Sequence, residues 1–563
     1  MVYIPPLKPL GCITTVDDKD PRYIARINEE IPLSDGGRIR ANVFFPRSGG
    51  PRWPVLMTAT PYGKDVPYAR CSAYKKSAEL IPQEHHCDHL AWEAPSPAYW
   101  CPRGYAVVIC DQRGTGNSPG HLRLFSTQNF DDYATAITWA ADQEWSTGKV
   151  GLTGISYLAL NQWPTAARQP RGLACIVPWE GMADWYRDAS RHGGIFCDGF
   201  ARSWFSKQIK PIQYGSRDRE AGGFGPDSTE GTFSDEILAE NIDVPGDSIR
   251  GNEFIGDQYY ADKMVHEDYS RIQVPLLSVG NWGGLNLHLR GNVLGYMRAG
   301  SQEKFVRIHT GRHDLPYYAE PYISTQRSFY DCYLKDDDYA GWRSGQQAPV
   351  AFAVRRGTHS PNSFEAELKH EWRNEQEWPI ARTRYEKRFL AAEGLLDAAR
   401  PNTETMVGNG VSFHTLLAET EYEICGHITL RLSVSLTNRS NRDCPAEIDI
   451  FAALRKISQD GEESTYTSST GDPTAVTFGW IRASHRTLTT TPYPGYTKPL
   501  PFPTLSHLRR DAKEVIEGEI YDLQCELWPT NVVVQKGERL VLEVAPKDPR
   551  GTSFFTCADS IDR

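Results

Sequence analysis

Within the stretch GLTGISYLAL (151–160), Ser156 stands between a short apolar run and a segment of helical character. A hydroxyl thrust outward on such a strand-to-helix turn can attack a carbonyl carbon, provided a base lies within hydrogen-bond reach. Small neighbours relieve the crowding of the turn. Gly154 lies two residues before the serine and Ala159 follows it, so the local pattern is G-x-S-Y-x-A and lacks the second glycine of G-x-S-x-G. Acyl transfer also needs donors aimed at the developing oxyanion, and the backbone N–H of Tyr157, next after the nucleophile, is placed to be one. FVRIHTGRHD (305–314) offers two histidines as base, His309 at the end of an apolar run and His313 in the loop beyond it. Two other stretches have chemical residue types. EHHCDH (84–89) holds zinc-ligand types, but adjacent ligands on one loop seldom close a tetrahedral site and no partner cluster accompanies them, so no metal is expected. GGFGPD (222–227) does not follow a strand and is no dinucleotide loop, and no cofactor is expected.

The elements that must position these groups fall into two patterns. Up to about residue 345, YAVVIC (105–110), KVGLTG (149–154), LACIVP (173–178), VPLLSVG (274–280) and KFVRIH (304–309) are apolar on both faces. Strands of a parallel sheet covered by helices on both sides read this way. Between the first two, Tyr133, Ala136, Ile137, Ala140 and Ala141 recur at helical spacing. Strand, helix, strand predicts an α/β unit over 1–345, with Ser156 at the carboxyl end of a strand, where such sheets place their sites. The stretch from about 185 to 270 has no clean strand and is too long for a loop, which predicts an inserted cap. From 346 to 563 the period changes: Ile428, Leu430, Leu432, Val434 and Leu436 alternate with polar residues, which predicts an antiparallel β-sandwich after a linker at 341–350.

The net charge of −10 and the lack of a basic cluster argue against nucleic-acid binding. No apolar run reaches about 18 residues, which argues against a membrane span. The N-terminal MVYIPPLKPLGC does not read as a secretory signal. The 12 cysteines are scattered without CxxC pairs, as expected of buried thiols in a reducing compartment, and the expected location is cytoplasmic.

CDQRGTGNSPG (110–120) followed by FDDYATAITWAADQEWSTGKVGLTGISY (130–157) resembles the cocaine esterase and X-Pro dipeptidyl-peptidase family of α/β-hydrolases. TPYGKD (60–65), NWGGLNLHLRGN (281–292), HTGRH (309–313) and FYDCYLK (329–335) extend the resemblance over nearly the whole chain. It implies an α/β-hydrolase doubly wound sheet with an inserted helical cap and a C-terminal jelly-roll-like β-sandwich. It implies His313 as the base, and the hydroxyl of Tyr62 as a second oxyanion donor beside the Tyr157 N–H. Asp111, Arg113 and Gly116 of the shared motif would order the loop beside the site. The family leaves a homodimer open.

The sequence departs from the family at the triad's acid. An aspartate is expected in a W-x-D setting, yet the chain reads Trp282-Gly283-Gly284. Glu180, at the end of the preceding strand, is the leading replacement, because the two glycines would leave room for its carboxylate. Asp184 and Asp314 are alternatives, as is a Ser–His pair without an acid. The expected activity is a serine hydrolase cleaving an ester, lactone, thioester or amide bond of a small acyl substrate. The alternatives are an X-Pro dipeptidyl-peptidase and a non-hydrolytic protein of the same fold.

Overall fold

The computed structural model describes residues 13–70, 75–197, 199–357, 362–391, 394–396, 410–437 and 446–548. The first part builds one large sheet. Its strands are β1 (Thr15–Asp17), β2 (Tyr23–Pro32), β3 (Arg38–Pro46), β4 (Trp53–Thr60), β5 (Ala106–Asp111), β6 (Ser146–Leu152) and β7 (Leu173–Ile176). After a small hairpin in the cap, β8 (Arg191–His192) with β9 (Ile195–Phe196), the sheet resumes with β10 (Leu276–Asn281), β11 (Lys304–His309), β12 (Val350–Val354) and β13 (Glu371–Glu375). The order is β1-β2-β3-β5-β4-β6-β7-β10-β11-β12-β13. From β5 to β12 neighbouring strands are parallel, and the pairs at either end are antiparallel. β12 and β13 pair into this sheet although they lie beyond residue 345.

Because β5 is covered on both sides, its residues divide between two cores. Val107 and Ile109 pack with Phe329 and Leu334 of the helix Tyr322–Lys335. Ala106, Val108 and Cys110 pack with Tyr133, Ala136, Ile137 and Ala140 of the helix Thr127–Asp142. That division is why the strand reads as apolar throughout, and each large side chain so buried contributes roughly 1.5–3 kcal/mol. Ser126 caps the second helix, its side chain accepting from Asn129 N.

The segment after β7 forms the cap from short pieces: a π-helical turn at Tyr186–Ser190, the β8–β9 hairpin, and helices at Gly199–Trp204, Asp235–Glu240 and Pro245–Gly251. Its aromatic rings stack inward. Trp185 lies on Phe125 with ring centres 3.9 Å apart, and Trp204 lies on Tyr157 at 5.9 Å.

The C-terminal part is all-β. It contains β14 (Phe389–Ala391), β15 (Gly394–Leu396), β16 (Val411–His414), β17 (Tyr422–Ser435), β18 (Asp449–Ile457), β19 (Tyr466–Thr467), β20 (Pro473–Thr474), β21 (Thr477–Arg482), β22 (Ile520–Val534) and β23 (Arg539–Ala545). Among the described residues, its main sheet is antiparallel with six strands in the order β16-β23-β18-β21-β22-β17. Alternation along β18 gives it two apolar faces. Ile450, Ala452 and Leu454 face the unit's own core, whereas Phe451 and Ala453 join Trp282, Leu289, Val293 and Phe352 of the large-sheet unit. The second contact fixes the C-terminal unit against the end of the sheet that holds β10 to β12.

Seven described cysteines are free thiols: Cys87, Cys101, Cys110, Cys175, Cys332, Cys425 and Cys525. Cys197 is disulfide-bonded. Among the described residues, no helix is long and apolar enough to cross a membrane.

Candidate active site

Ser156 follows β6 at a sharp turn with φ 60° and ψ −115°, a left-handed conformation that costs a non-glycine residue about 1–3 kcal/mol. The surroundings hold it there. Ser156 N donates to Trp179 O at 3.0 Å, and Ser156 O accepts from Leu160 N at 2.8 Å. Gly154, at φ 123°, lets the chain enter the turn, and a Cβ there would come within 2.6 Å of Leu158 Cβ. Ala159 is small for a related reason, since Gly181 of the neighbouring turn closes on its Cβ. Strain, glycine and buried helix start together make a nucleophile elbow.

Glu180 extends from the turn after β7 at φ 48°, with its N–H held by Val279 O at 2.7 Å. Its carboxylate is fully buried and fully engaged. Oε2 lies 3.1 Å from His313 Nδ1 and accepts from Ser469 Oγ at 3.3 Å. Oε1 lies 3.2 Å from His309 Nε2 and accepts from Asn281 Nδ2 at 3.3 Å. Burial opposes the charge, but His313 and His309 outweigh it and hold the carboxyl down at about 2. A Cβ on Gly284 would stand 3.6 Å from Glu180 Oε2, so this carboxylate fills space that a side chain at 284 would enter.

His313 lies between two acids. Its Nδ1 faces Glu180, and its Nε2 faces Glu93 Oε1 at 3.1 Å. Burial lowers its affinity for a proton, yet the two carboxylates raise it to about 10. Burial pushes the Glu93 carboxyl up, while its hydrogen bonds to His313 and Tyr62 pull it back. Glu93 Oε2 is buried with no hydrogen-bond partner among the described residues.

The serine does not hydrogen-bond His313. Ser156 Oγ lies 3.3 Å from His288 Nε2, and the His288 ring stacks on that of His313 with centres 5.1 Å apart and planes 7° apart. Expected Tyr62 is buried in the aromatic wall beside Tyr157, its hydroxyl accepting from Trp204 Nε1 at 3.2 Å. The Tyr157 N–H stands at the first helical position, where it has no intrahelical acceptor. The other candidates lie in separate networks. Asp184 caps the Tyr186–Ser190 turn and pairs with Arg187 at 2.8 Å, and Asp314 pairs with Arg312 and accepts from Tyr68. His309 Nδ1 donates to Thr310 O at 2.9 Å, which turns its other nitrogen toward Glu180. In EHHCDH the histidines are engaged elsewhere: His85 stacks on Tyr99, His86 Nε2 meets Ile81 O, and His89 Nδ1 meets Tyr23 Oη. Among the described residues, no group of three or more side chains could hold a metal ion. Asp111 orders its loop, accepting from Lys64 N at 2.6 Å and Asn117 N at 2.9 Å. Arg113 binds Asp132 through two nitrogens, each at 2.8 Å. Gly116 is close enough to Asp111 that a Cβ would stand 2.1 Å from its Oδ2.

Sequence reading missed His288, Glu93 and Ser469. His288 lies inside NWGGLNLHLRGN, a stretch that draws attention for its absent aspartate, and its approach to the serine depends on how the loop 282–288 turns. Glu93 and Ser469 carry no local signal.

The family model described as X-Pro dipeptidyl-peptidase (S15 family) matches residues 35–314, and that of the X-Pro dipeptidyl-peptidase C-terminal non-catalytic domain matches 341–563. A cocaine esterase of Rhodococcus sp. (strain MB1 Bresler) is 32% identical over 173 residues, 30% of this chain and 25% of that protein. A Xaa-Pro dipeptidyl-peptidase of Streptococcus sanguinis (strain SK36) is 23% identical over 301 residues, 45% of this chain and 39% of that protein. The chain thus spans between a quarter and two-fifths of the length of these two curated relatives. A solved CocE/NonD family hydrolase from Staphylococcus aureus is 26% identical, superposes with a TM-score of 0.79, and covers 100% of this chain and 95% of its own. With both of its parts matched by the family's two models and the whole chain superposed on a family hydrolase, the chain belongs to the cocaine esterase and X-Pro dipeptidyl-peptidase family of α/β-hydrolases.

Proposed function

We propose that the protein is a serine hydrolase that cleaves an ester, lactone, thioester or amide bond through an acyl-enzyme. The observation that carries this reading is the strained Ser156 elbow, linked through the His288 ring to a half-buried His313 that pairs with buried Glu180 at 3.1 Å. Glu180 binds Nδ1, so it fixes the tautomer and leaves Nε2 as the working nitrogen. Nε2 leaves Glu93 when substrate enters, takes the Ser156 proton as Oγ attacks the carbonyl, and later protonates the leaving group. The Tyr157 N–H and the Tyr62 hydroxyl, turned away from Glu93 as Nε2 is, hold the oxyanion. Water then releases the acid in the same way. We take the glutamate after β7 as the triad acid in place of the family's aspartate, which removes the main argument for a non-hydrolytic protein.

A second reading, X-Pro dipeptidyl-peptidase, draws on Glu93. This buried carboxylate with a bare Oε2 beside the base would bind a substrate's free amine. We infer a cytoplasmic location from the seven free cysteines, against which the Cys197 disulfide stands.

A fluorophosphonate probe tests the first reading. Wild-type protein should be labelled at Ser156, and Ser156→Ala and His313→Ala should abolish labelling. Unlabelled wild type, or labelling that survives His313→Ala unchanged, refutes it. A panel of p-nitrophenyl esters run against Gly-Pro-p-nitroanilide separates esterase from dipeptidyl-peptidase.

A further inference from the structure

The imidazole within hydrogen-bond distance of the nucleophile belongs to His288, with Nε2 at 3.3 Å from Ser156 Oγ. The residue is buried and its main chain is anchored on both sides. His288 is 2% exposed, its N–H donates to Gly284 O at 3.1 Å, and its carbonyl accepts from Asn292 N at 3.0 Å as the helix Leu289–Arg298 begins. Its Nδ1 is buried with no hydrogen-bond partner among the described residues.

The contact with Ser156 and the lack of an acceptor at Nδ1 among the described residues favour one tautomer. A proton on Nδ1 would leave a buried N–H unpaired, whereas a proton on Nε2 is donated to Ser156 Oγ and leaves only a bare lone pair on Nδ1. An orphaned buried N–H is the rarer and costlier of the two. Stacking decides the charge. A second proton would set an imidazolium face to face with His313, whose ring centre is 5.1 Å away between two carboxylates. Burial and the neighbouring His313 charge both keep His288 neutral.

We propose that His288 is a catalytic hydrogen-bond donor, an uncharged imidazole whose Nε2–H stabilises negative charge on Ser156 Oγ. This rests on the hydrolase reading with His313 as base. In acylation the Oγ–H bond breaks and its proton goes to His313 Nε2. The Oγ–C bond forms, and the carbonyl π pair moves onto the carbonyl oxygen; when that pair returns, the bond from the carbonyl carbon to the leaving group breaks and His313 Nε2–H protonates the leaving atom. His288 keeps its own proton throughout, and its N–H holds the electron density that gathers on Oγ as the proton leaves. In deacylation water gives a proton to His313 Nε2 as its oxygen bonds the acyl carbon; on collapse the Oγ–C bond breaks, charge gathers on Oγ beside the same His288 N–H, and Oγ takes its proton back from His313.

The test compares full-length wild type, His288→Leu and His288→Gln with p-nitrophenyl acetate over a range of pH. Circular dichroism follows folding, and fluorophosphonate labelling follows the nucleophile. Leucine should lower kcat about 10²- to 10³-fold with little change in KM, the usual effect of deleting one preorganised donor. Glutamine, whose amide N–H can replace Nε2–H but cannot take a proton, should recover about ten-fold or more of that loss, with the pH limb of His313 in place. Wild-type-like turnover in the folded leucine variant overturns the proposal. A folded glutamine variant no more active than leucine also overturns it, because that pattern belongs to a base. If leucine fails to fold, glutamine decides alone: activity of about one-hundredth of wild type or more supports the donor, and anything lower refutes it. Wild type that neither turns over nor labels brings down the hydrolase reading, and this proposal with it.

Discussion

Between Glu180 on Nδ1 and Glu93 on Nε2, the His313 imidazole is held in its protonated form up to about 10. A general base must be neutral to accept the serine proton, so turnover should rise with pH through this ionisation. Glu93→Gln removes one of the two charges that raise it. The acid limb of kcat/KM should therefore move to lower pH, and ester hydrolysis at pH 7 should increase. A limb that stays in place would show that Glu93 does not face the working nitrogen. The same variant serves the second reading, because loss of an amine-binding carboxylate should cut Gly-Pro-p-nitroanilide cleavage while ester cleavage rises. Glu180 acts from the other side of the ring. Glu180→Gln keeps the shape and removes the charge, and it should lower kcat about 10²- to 10⁴-fold, as expected when the group orienting a catalytic histidine loses its charge. Wild-type turnover would remove Glu180 from the mechanism.

At the scale of elements, Glu180, the proposed acid, lies at the end of β7 rather than β10. The two strand ends are neighbours in the sheet, so a carboxylate from either can approach one histidine. Gly284 has no positive φ, and a Cβ there would meet Asn281 O at 3.1 Å and Glu180 Oε2 at 3.6 Å. Gly284→Asp alone should lower activity, since a second carboxylate would crowd the first and raise its affinity for a proton. Combined with Glu180→Gly, which suits the φ of 48° at that position, the aspartate should restore about ten-fold or more of the kcat that Glu180→Gly loses. A double variant no better than Glu180→Gly would show that the strand ends are not interchangeable. Much of this level was legible in the sequence. Runs apolar on both faces gave β5, β6, β7, β10 and β11, because burial on two sides leaves no polar positions. The same reading singled out Glu180, since a missing aspartate and two glycines imply space for another acid. His288 was not legible: its pairing with Ser156 depends on the path of a loop whose residues show no period. Glu93 was hidden for the same reason, lying in a stretch without regular structure and coming to His313 through tertiary packing.

At the scale of the molecule, the all-β unit takes part in the site. Ser469 donates its hydroxyl to Glu180 Oε2 at 3.3 Å, its carbonyl accepts from His313 N at 3.0 Å, and its own N–H donates to Gly283 O at 3.2 Å. One residue of the C-terminal unit thus holds the Glu180 carboxylate, the His313 backbone and the loop that carries His288. Arg290, two residues beyond His288, ties the cap to the same unit: it contacts Asp188 at 2.8 Å, Glu526 at 3.0 Å and the Tyr493 hydroxyl at 2.8 Å. Sequence patterning could predict a second unit but not this contact, because the hydrogen bonds of Ser469 join residues separated by some 150 positions or more. Gly283 packs tightly against the C-terminal unit, and a Cβ there would stand 1.9 Å from Thr467 O. Gly283→Ala therefore has to push the 466–472 segment away while leaving every catalytic side chain intact. Freed of that clamp, Glu180 loses a hydrogen bond that, for a charged acceptor, is worth about 1.5–3 kcal/mol, and kcat should fall roughly ten-fold or more. Hydrogen exchange should quicken in 466–472 and around His313 but not in the buried strands β5 and β6. Unchanged kcat together with faster exchange in 466–472 would mean that the hydrolase unit orders its own acid and base. Loss of kcat with that exchange signature means that the all-β unit completes the site.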